Sequence, residues 1–203
     1  MSTETPNLDP YVSKALNDKV STHQKIIDLQ KIVKAAGTGM LTTRASDGFL
    51  HARAMTPAGP RSDKQLTLFF VANKFSGKIA EVENDAHVNV SFLDTSSTSW
   101  ASYSGTARIV TDKSIVKQHW TPMMSAYFGD LGDGVHKGDE NDPRVITIEV
   151  VPEDIVYWLT TSGAISRTVH IALSALTGHG TAPGELREIK KEEVRAAPIP
   201  LCQ

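Results

Sequence analysis

The segment from Phe69 to Val90 constrains the fold of this chain more than any other. An apolar strand stops at Asn73 and a short loop follows. Ser76-Gly77-Lys78 then opens a helix that ends near Asn84, and a second strand starts at His87. The start of a helix offers unpaired backbone N–H groups and a partial positive charge. A hydroxyl and an ammonium at that point make a cradle suited to a phosphate.

The flanking sequence places this unit in a β-rich frame. Ser21 and Gln24 have the spacing of a capping box, and Ile26, Leu29, Val33 and Ala36 form a helical stripe closed by Gly37. From Gly39 the period changes to that of strands: Met40 to Arg44, an Asp47-Gly48 hairpin turn, and a returning strand from Leu50 to Thr56. Pro57 and Pro60 bracket a loop, Leu66 to Ala72 and Val88 to Leu93 read as strands, and Trp100 to Val110 as a long one with a bulge or bend at Gly105. Four or five strands joined by short turns, with one small helix between the third and fourth, predict an antiparallel barrel over a parallel doubly wound sheet.

Beyond this, Asp112 is expected to cap a helix carrying Ile115, Val116, His119 and Trp120, and Gly129 to Asp142 to form a mobile surface loop. Arg144 to Val151 and Ile155 to Leu159 read as closing strands split at Pro152. Ser162 is placed to cap a helix bearing Ile165, Val169, Leu173 and Leu176 that stops at Gly178. The tail from His179 shows no core-forming pattern. The expected organisation is a polar N-terminal arm (1–21), one domain (22–160), and a C-terminal helix and tail (161–203).

At 203 residues, 40% hydrophobic and 22% charged, the chain has the size and composition of one ordinary globular domain. A formal net charge of −2 gives no electrostatic reason to expect nucleic acid or an anionic membrane as partner. No apolar run approaches the roughly 20 residues of a membrane helix. The acid- and proline-bearing N-terminus does not read as a secretory signal, and the single cysteine, Cys202, excludes an internal disulfide framework. A cytoplasmic setting is the expectation.

Arg53 lies on a strand where it alternates with Ala52 and Ala54, so one face there is small enough to admit a ligand. From that strand it can clamp a phosphate bidentately while Lys78 supplies a point charge. The plain structural alternatives are an N-capping Ser76, an exposed helical Lys78 and an ion-paired Arg53. The acidic loop from Asp130 fails as a calcium site, because Gly132 and Val135 stand where a ligand and the turn glycine belong. The histidines form no ligand pair, so no metal is expected. Neither a Gly-x-Ser-x-Gly elbow nor a Gly-x-Gly-x-x-Gly loop occurs, and no catalytic acid, base or nucleophile can be named. Trp100, Trp120 and Trp158 suit core or interface anchors, and Trp100 and Trp158 stand where a barrel rim would wall a flat ligand.

The order of these segments resembles the FMN-binding split barrels related to pyridoxamine-phosphate oxidase. It runs from Met40-Leu41-Thr42-Thr43 through Arg53-Ala54-Met55, Phe69-Phe70-Val71, Ser76-Gly77-Lys78, Asn84-Asp85-Ala86-His87-Val88 and Ser104-Gly105-Thr106-Ala107 to Tyr157-Trp158. The general-stress-protein branch, with its fungal blue-light-inducible members, is the most similar. The resemblance covers about residues 22 to 160 and implies a mainly β fold with flanking helices, a split antiparallel barrel. It also implies FMN as cofactor and a homodimer with two flavin sites at its interface.

Residue by residue, the resemblance puts Arg53, Ser76 and Lys78 on the flavin phosphate, with Gly77 between them. It puts Ala54, Met55, Val71 and Ala72 beside the ring and ribityl chain, largely through backbone groups. Trp100 falls where the oxidases use a polar residue near the ring, and Trp158 matches a tryptophan contributed by the partner subunit. Two departures stand out. Gly77 replaces a second basic residue, which predicts weaker flavin retention. Arg167 and His170 do not reproduce the segment that grips pyridoxamine phosphate, which disfavours vitamin B6 oxidation. The expectation is an FMN-dependent oxidoreductase of a stress or light response. A non-catalytic flavin carrier or sensor is the alternative, and a barrel holding another flavin-like or tetrapyrrole ligand the third option.

Overall fold

Helix α1 (Thr22–Ala36) begins and ends on the residues its caps require. Ser21 Oγ accepts from the Gln24 amide N–H at 3.3 Å, and Gly37, at φ 67°, donates its N–H to Val33 O. The box is half made, because the Gln24 side chain donates to Asp28 at 3.1 Å. Ile26, Leu29 and Ile32 form the buried stripe, with Val33 and Ala36 packing at its border. The computed structural model describes residues 13, 15–17, 19–60, 62–161 and 183–197.

Seven antiparallel strands follow: β1 (Gly39–Arg44), β2 (Leu50–Met55), β3 (Leu68–Asn73), β4 (His87–Leu93), β5 (Trp100–Val110), β6 (Val145–Thr160) and β7 (Gly184–Ile189). Their order is β2-β1-β4-β5-β6-β3, with β7 also pairing β6. Helix α2 (Gly77–Asn84) joins β3 to β4. Helix α3 (Lys113–His119), a 3₁₀ turn at Pro122–Met124 and α4 (Ser125–Phe128) lie between β5 and β6, and α5 (Lys191–Ala196) follows β7. The Asp47-Gly48 hairpin is made as expected, with Gly48 at φ 90°. β2 and β3 stand at opposite ends of that strand order, and the segment just after β2 meets β3 through a hydrogen bond from Ala58 N–H to Phe69 O at 2.8 Å. This is a split antiparallel barrel.

The strands alternate as their sequences predict. β4 and β5 send Val90, Phe92, Ala101 and Tyr103 inward and leave Ser91 and Ser102 less buried. β3 and the first half of β6 are buried on both faces, because α3 covers their second side. Asp112 caps α3 as expected, and His119 stacks on Phe69 with ring centroids 4.2 Å apart. Gly105 sits at the register shift between β5 and β6, where a Cβ would fall 2.2 Å from Val151 O. β6 runs unbroken through Pro152, which corrects the two-strand reading: the proline occupies the irregularity opposite Gly105, where no ladder N–H is needed.

The tail is corrected as well. β7 brings Ile189 into the core and Arg187 under α1, where Arg187 donates to Asp28 at 2.6 Å and to Glu185 at 2.7 Å. Lys25 on α1 pairs with Glu193 on α5 at 3.1 Å, and the Tyr157 hydroxyl donates to Lys25 O. The inner end of the N-terminal arm also packs, with Ala15 buried and Leu16 bridging to Leu186. The loop from Gly129 to Asp142 is anchored at its base: Arg144 donates to Phe128 O, Gly129 O and the buried Asp142 carboxylate. The helix expected after Ser162 lies outside the described residues. Among the described residues no helix is long and apolar enough to cross a membrane.

Candidate functional site: a cavity between the two free sheet edges

β2 and β3 each pair on one side only, so each turns an unpaired row of backbone N–H and C=O groups outward. Between them lies a cavity of about 390 Å³. Ala54, Met55 and Thr56 form one wall, Val71, Ala72 and Asn73 the opposite one, and Lys78 stands at its end. Five residues expected from the sequence (Ala54, Met55, Val71, Ala72 and Lys78) thus meet around one space. Small side chains and free peptide groups suit a flat heteroaromatic ligand with polar edges.

At the Lys78 end the chain gathers its charge. Lys78 lies in the first turn of α2, whose N-cap residue, Ser76, does not cap. The Ser76 hydroxyl donates to Asn73 O at 2.7 Å and accepts from Lys78 Nζ at 2.9 Å. The Ile79 N–H is taken by Ser76 O at 2.9 Å, while the Gly77 and Lys78 N–H groups receive no side-chain acceptor, which leaves these two available to an anion. Burial and the nearby Arg53 charge push the Lys78 ammonium below its ordinary pKa, with Glu81 opposing them. The Gly77 backbone is open, since a Cβ there would meet nothing within 4 Å.

Arg53 differs from the expectation of a free bidentate clamp. Its Nη2 donates to Glu81 Oε2 at 2.6 Å, and its Nη1 donates to Leu41 O and to the Thr43 hydroxyl. Glu81, which the sequence reading did not single out, also accepts from Thr43 and lies 2.7 Å from His51 Nδ1. Its position one helical turn after Lys78 was the available signal. Burial alone would raise the Glu81 pKa. Hydrogen bonds from Thr43, His51 and Arg53, with the Arg53 charge, outweigh it and lower that pKa from 4.5 to about 2.

A carboxylate whose pKa is depressed on folding contributes stability above its unfolded value, and that contribution is lost as pH falls through the folded value. Acid unfolding of the native chain should therefore remove about 2–3 kcal/mol through this group between roughly pH 5 and 2. Denaturant midpoints measured across that range check it, with a shallower acid dependence expected in Glu81→Gln.

The remaining wall was not read from the sequence. Thr121, Met123, Met124, Tyr127 and Phe128 close the cavity from the segment after α3. Met123 and Tyr127 remain largely exposed, at 80% and 85%. The cluster Pro122-Met123-Met124 followed by Tyr127-Phe128 was the usable signal. Arg144 holds this wall through the Phe128 and Gly129 carbonyls.

Trp100 and Trp158 do not line the cavity. They are a cross-strand pair at the start of β5 and the end of β6, beside the exposed Leu93. Among the described residues no cluster of three or more metal-binding side chains occurs.

The chain matches the family profile "Pyridoxamine 5'-phosphate oxidase like" over residues 24–181. It is 40% identical over 189 residues to protein bli-3 of Neurospora crassa, covering 93% of this chain and 90% of that protein. It is also similar to the general stress FMN/FAD binding protein of Xanthomonas citri, with 25% identity and a TM-score of 0.57 over 69% of this chain and 92% of the other. A putative general stress protein 26 from Jannaschia sp. CCS1 shares the fold at 20% identity and a TM-score of 0.60, over 80% of this chain and 96% of the other. The chain belongs to the pyridoxamine 5'-phosphate oxidase-like family and shares the fold of its general-stress members.

Proposed function

We propose that this chain is an FMN-binding, flavin-dependent oxidoreductase of a stress response, working as a cytoplasmic homodimer. The observation that carries the reading is the cavity between the free edges of β2 and β3, with Lys78 and an uncapped helix start at one end. The similar Xanthomonas citri protein is described as FMN/FAD binding, which supports a flavin here. Lys78, Ser76 and the Gly77 and Lys78 amides at the start of α2 would hold the phosphate, and Arg53 stands nearby while staying tied to Glu81. Ala54, Met55, Val71 and Ala72 would flank the ring. The bound flavin supplies hydride and electron transfer, and the protein binds it, orients it and limits water at its faces.

Dimerisation is supported by the outer face of β1, β4 and β5. Met40, Leu93 and Trp100 are exposed there among small neighbours such as Ala54, Ser91 and Ser102. Such a face suits a second copy, and Trp100 and Trp158 would then wall the partner's cavity.

Around the cavity, Lys78 and Tyr127 are the ionisable side chains among the described lining residues. That observation favours a carrier or sensor as the second reading. Absorbance and mass of the small molecule that copurifies test the binding. Bleaching by a nicotinamide donor, followed by turnover with an acceptor, supports the enzyme, whereas bound flavin that no donor reduces supports the carrier. Because Gly77 is sterically open, Gly77→Arg should fold normally and tighten FMN by about 1 kcal/mol, read by flavin fluorescence quenching.

A further inference from the structure

A second and larger cavity, about 640 Å³, lies between α1 and the segment that leads from β2 to β3. On α1 its wall is a helical stripe beside the core-facing one: Ile27, Gln30, Lys31 and Lys34 follow one another at spacings of three, one and three residues. Pro57, Pro60 and Leu68 form the opposite wall. Its volume falls in the range of small-molecule sites, and its lining is mainly apolar.

Tyr103 also lines this space. It is 2% exposed, held among the core residues and set edge-on to Phe92 at 5.7 Å. Its hydroxyl takes no hydrogen-bond partner among the described residues, whereas the neighbouring buried Tyr157 hydroxyl is satisfied by Lys25 O. The hydroxyl opens on the cavity, where it is placed to donate to whatever occupies that space. Burial and the nearby Tyr157 push its pKa up, so it stays a donor at all physiological pH values.

We propose that this cavity is a binding site for an apolar carbonyl compound, whose oxygen accepts a hydrogen bond from the Tyr103 hydroxyl while its body packs against Ile27, Leu68 and the two prolines. The site is separate from the flavin cavity and does not rest on the flavin reading. Along the chain the two share a wall: Thr56 faces the flavin cavity and Pro57 this one, while on β3 Val71 faces the flavin cavity and Leu68 this one.

The test uses the full chain and a propionyl-dimethylaminonaphthalene, a flat apolar ketone whose fluorescence shifts to the blue when it leaves water. The native protein should bind one probe per protomer with a blue shift, and saturating FMN should not displace it. Tyr103→Phe should weaken the probe roughly fivefold, the scale of one neutral hydrogen bond. It should keep the FMN affinity of the native chain and melt no lower than it, because the lost hydroxyl has no protein partner. Gly59→Trp provides the second variant. Gly59 lines the cavity, and a Cβ there meets nothing within 4 Å, so the indole can fill the space without disturbing the backbone. It should abolish probe binding and leave FMN affinity unchanged.

Absence of probe binding to the native chain overturns the proposal, as does equal binding by both variants or displacement of the probe by FMN. A lower melting temperature for Tyr103→Phe also overturns it, because the hydroxyl would then be serving the fold.

Discussion

Replacing Arg187 with leucine is expected to cost about 3–5 kcal/mol of folding stability, because it strands a buried carboxylate. The Arg187 side chain is 8% exposed and its fork joins Asp28 on α1 to Glu185 on β7. Burial alone would raise the Asp28 pKa; hydrogen bonds from Lys31, Gln24 and Arg187 reverse the sign and hold it below the usual carboxylate value. Without the guanidinium, Asp28 keeps Lys31 and Gln24 but loses its buried partner. Arg187→Lys should recover only part of the loss, since one ammonium cannot serve both carboxylates in the same geometry. Denaturant midpoints at neutral pH measure the effect. The Arg187→Leu deficit should narrow in acid, where Asp28 and Glu185 can be neutralised. An unchanged midpoint would show that β7 unfolds independently of α1.

Lys78→Ala is expected to weaken FMN by about 1.5–3 kcal/mol, the scale of a charge-assisted hydrogen bond. Lys78 is the cation at the cavity, and among the described residues its ammonium donates to a neutral hydroxyl, Ser76 Oγ at 2.9 Å, with no carboxylate hydrogen-bonded to it. An incoming phosphate therefore meets a donor that does not have to abandon a carboxylate. Arg53 is in a different position, since its Nη2 already serves Glu81 at 2.6 Å. Truncating Arg53 would also leave Glu81 short of a buried partner, so a loss of flavin in that variant would mix binding with stability. Lys78→Ala separates the two: its melting temperature without flavin should stay near that of the native chain while FMN affinity falls.

Much of the fold could be read from local chemistry. The Ser21 and Gly37 caps bound α1, the Asp47-Gly48 turn set the β1–β2 register, and strict alternation marked β4 and β5. Pro152 misled because a proline inside a strand normally signals a break, and its tolerance here depends on Gly105 in the neighbouring strand. β7 escaped because Gly-Glu-Leu-Arg-Glu-Ile has few apolar residues. Its inward Arg187 is satisfied by residues distant in sequence, a pairing that no local pattern announces.

The site followed the same division. Lys78 was legible from the helix start that follows the third strand, while Ala54, Met55, Val71 and Ala72 were named by the family resemblance, and all five meet around the cavity. Glu81 and the wall from Thr121 to Phe128 were not legible, because their roles depend on tertiary approach. Trp100 opens β5 and Trp158 lies near the end of β6, the strand positions expected of them. Within one protomer they do not line the cavity, so a second copy would have to bring them to a flavin.

The most direct measurement of the central claim is the ratio of FMN to riboflavin affinity, read by fluorescence quenching in the native chain and in Lys78→Ala. The two ligands share the ring and differ in the phosphate. A phosphate site at the α2 start predicts FMN about tenfold or more tighter in the native chain, with most of that preference lost in the variant. Equal affinities in the native chain, or a preference that survives the loss of Lys78, would contradict it.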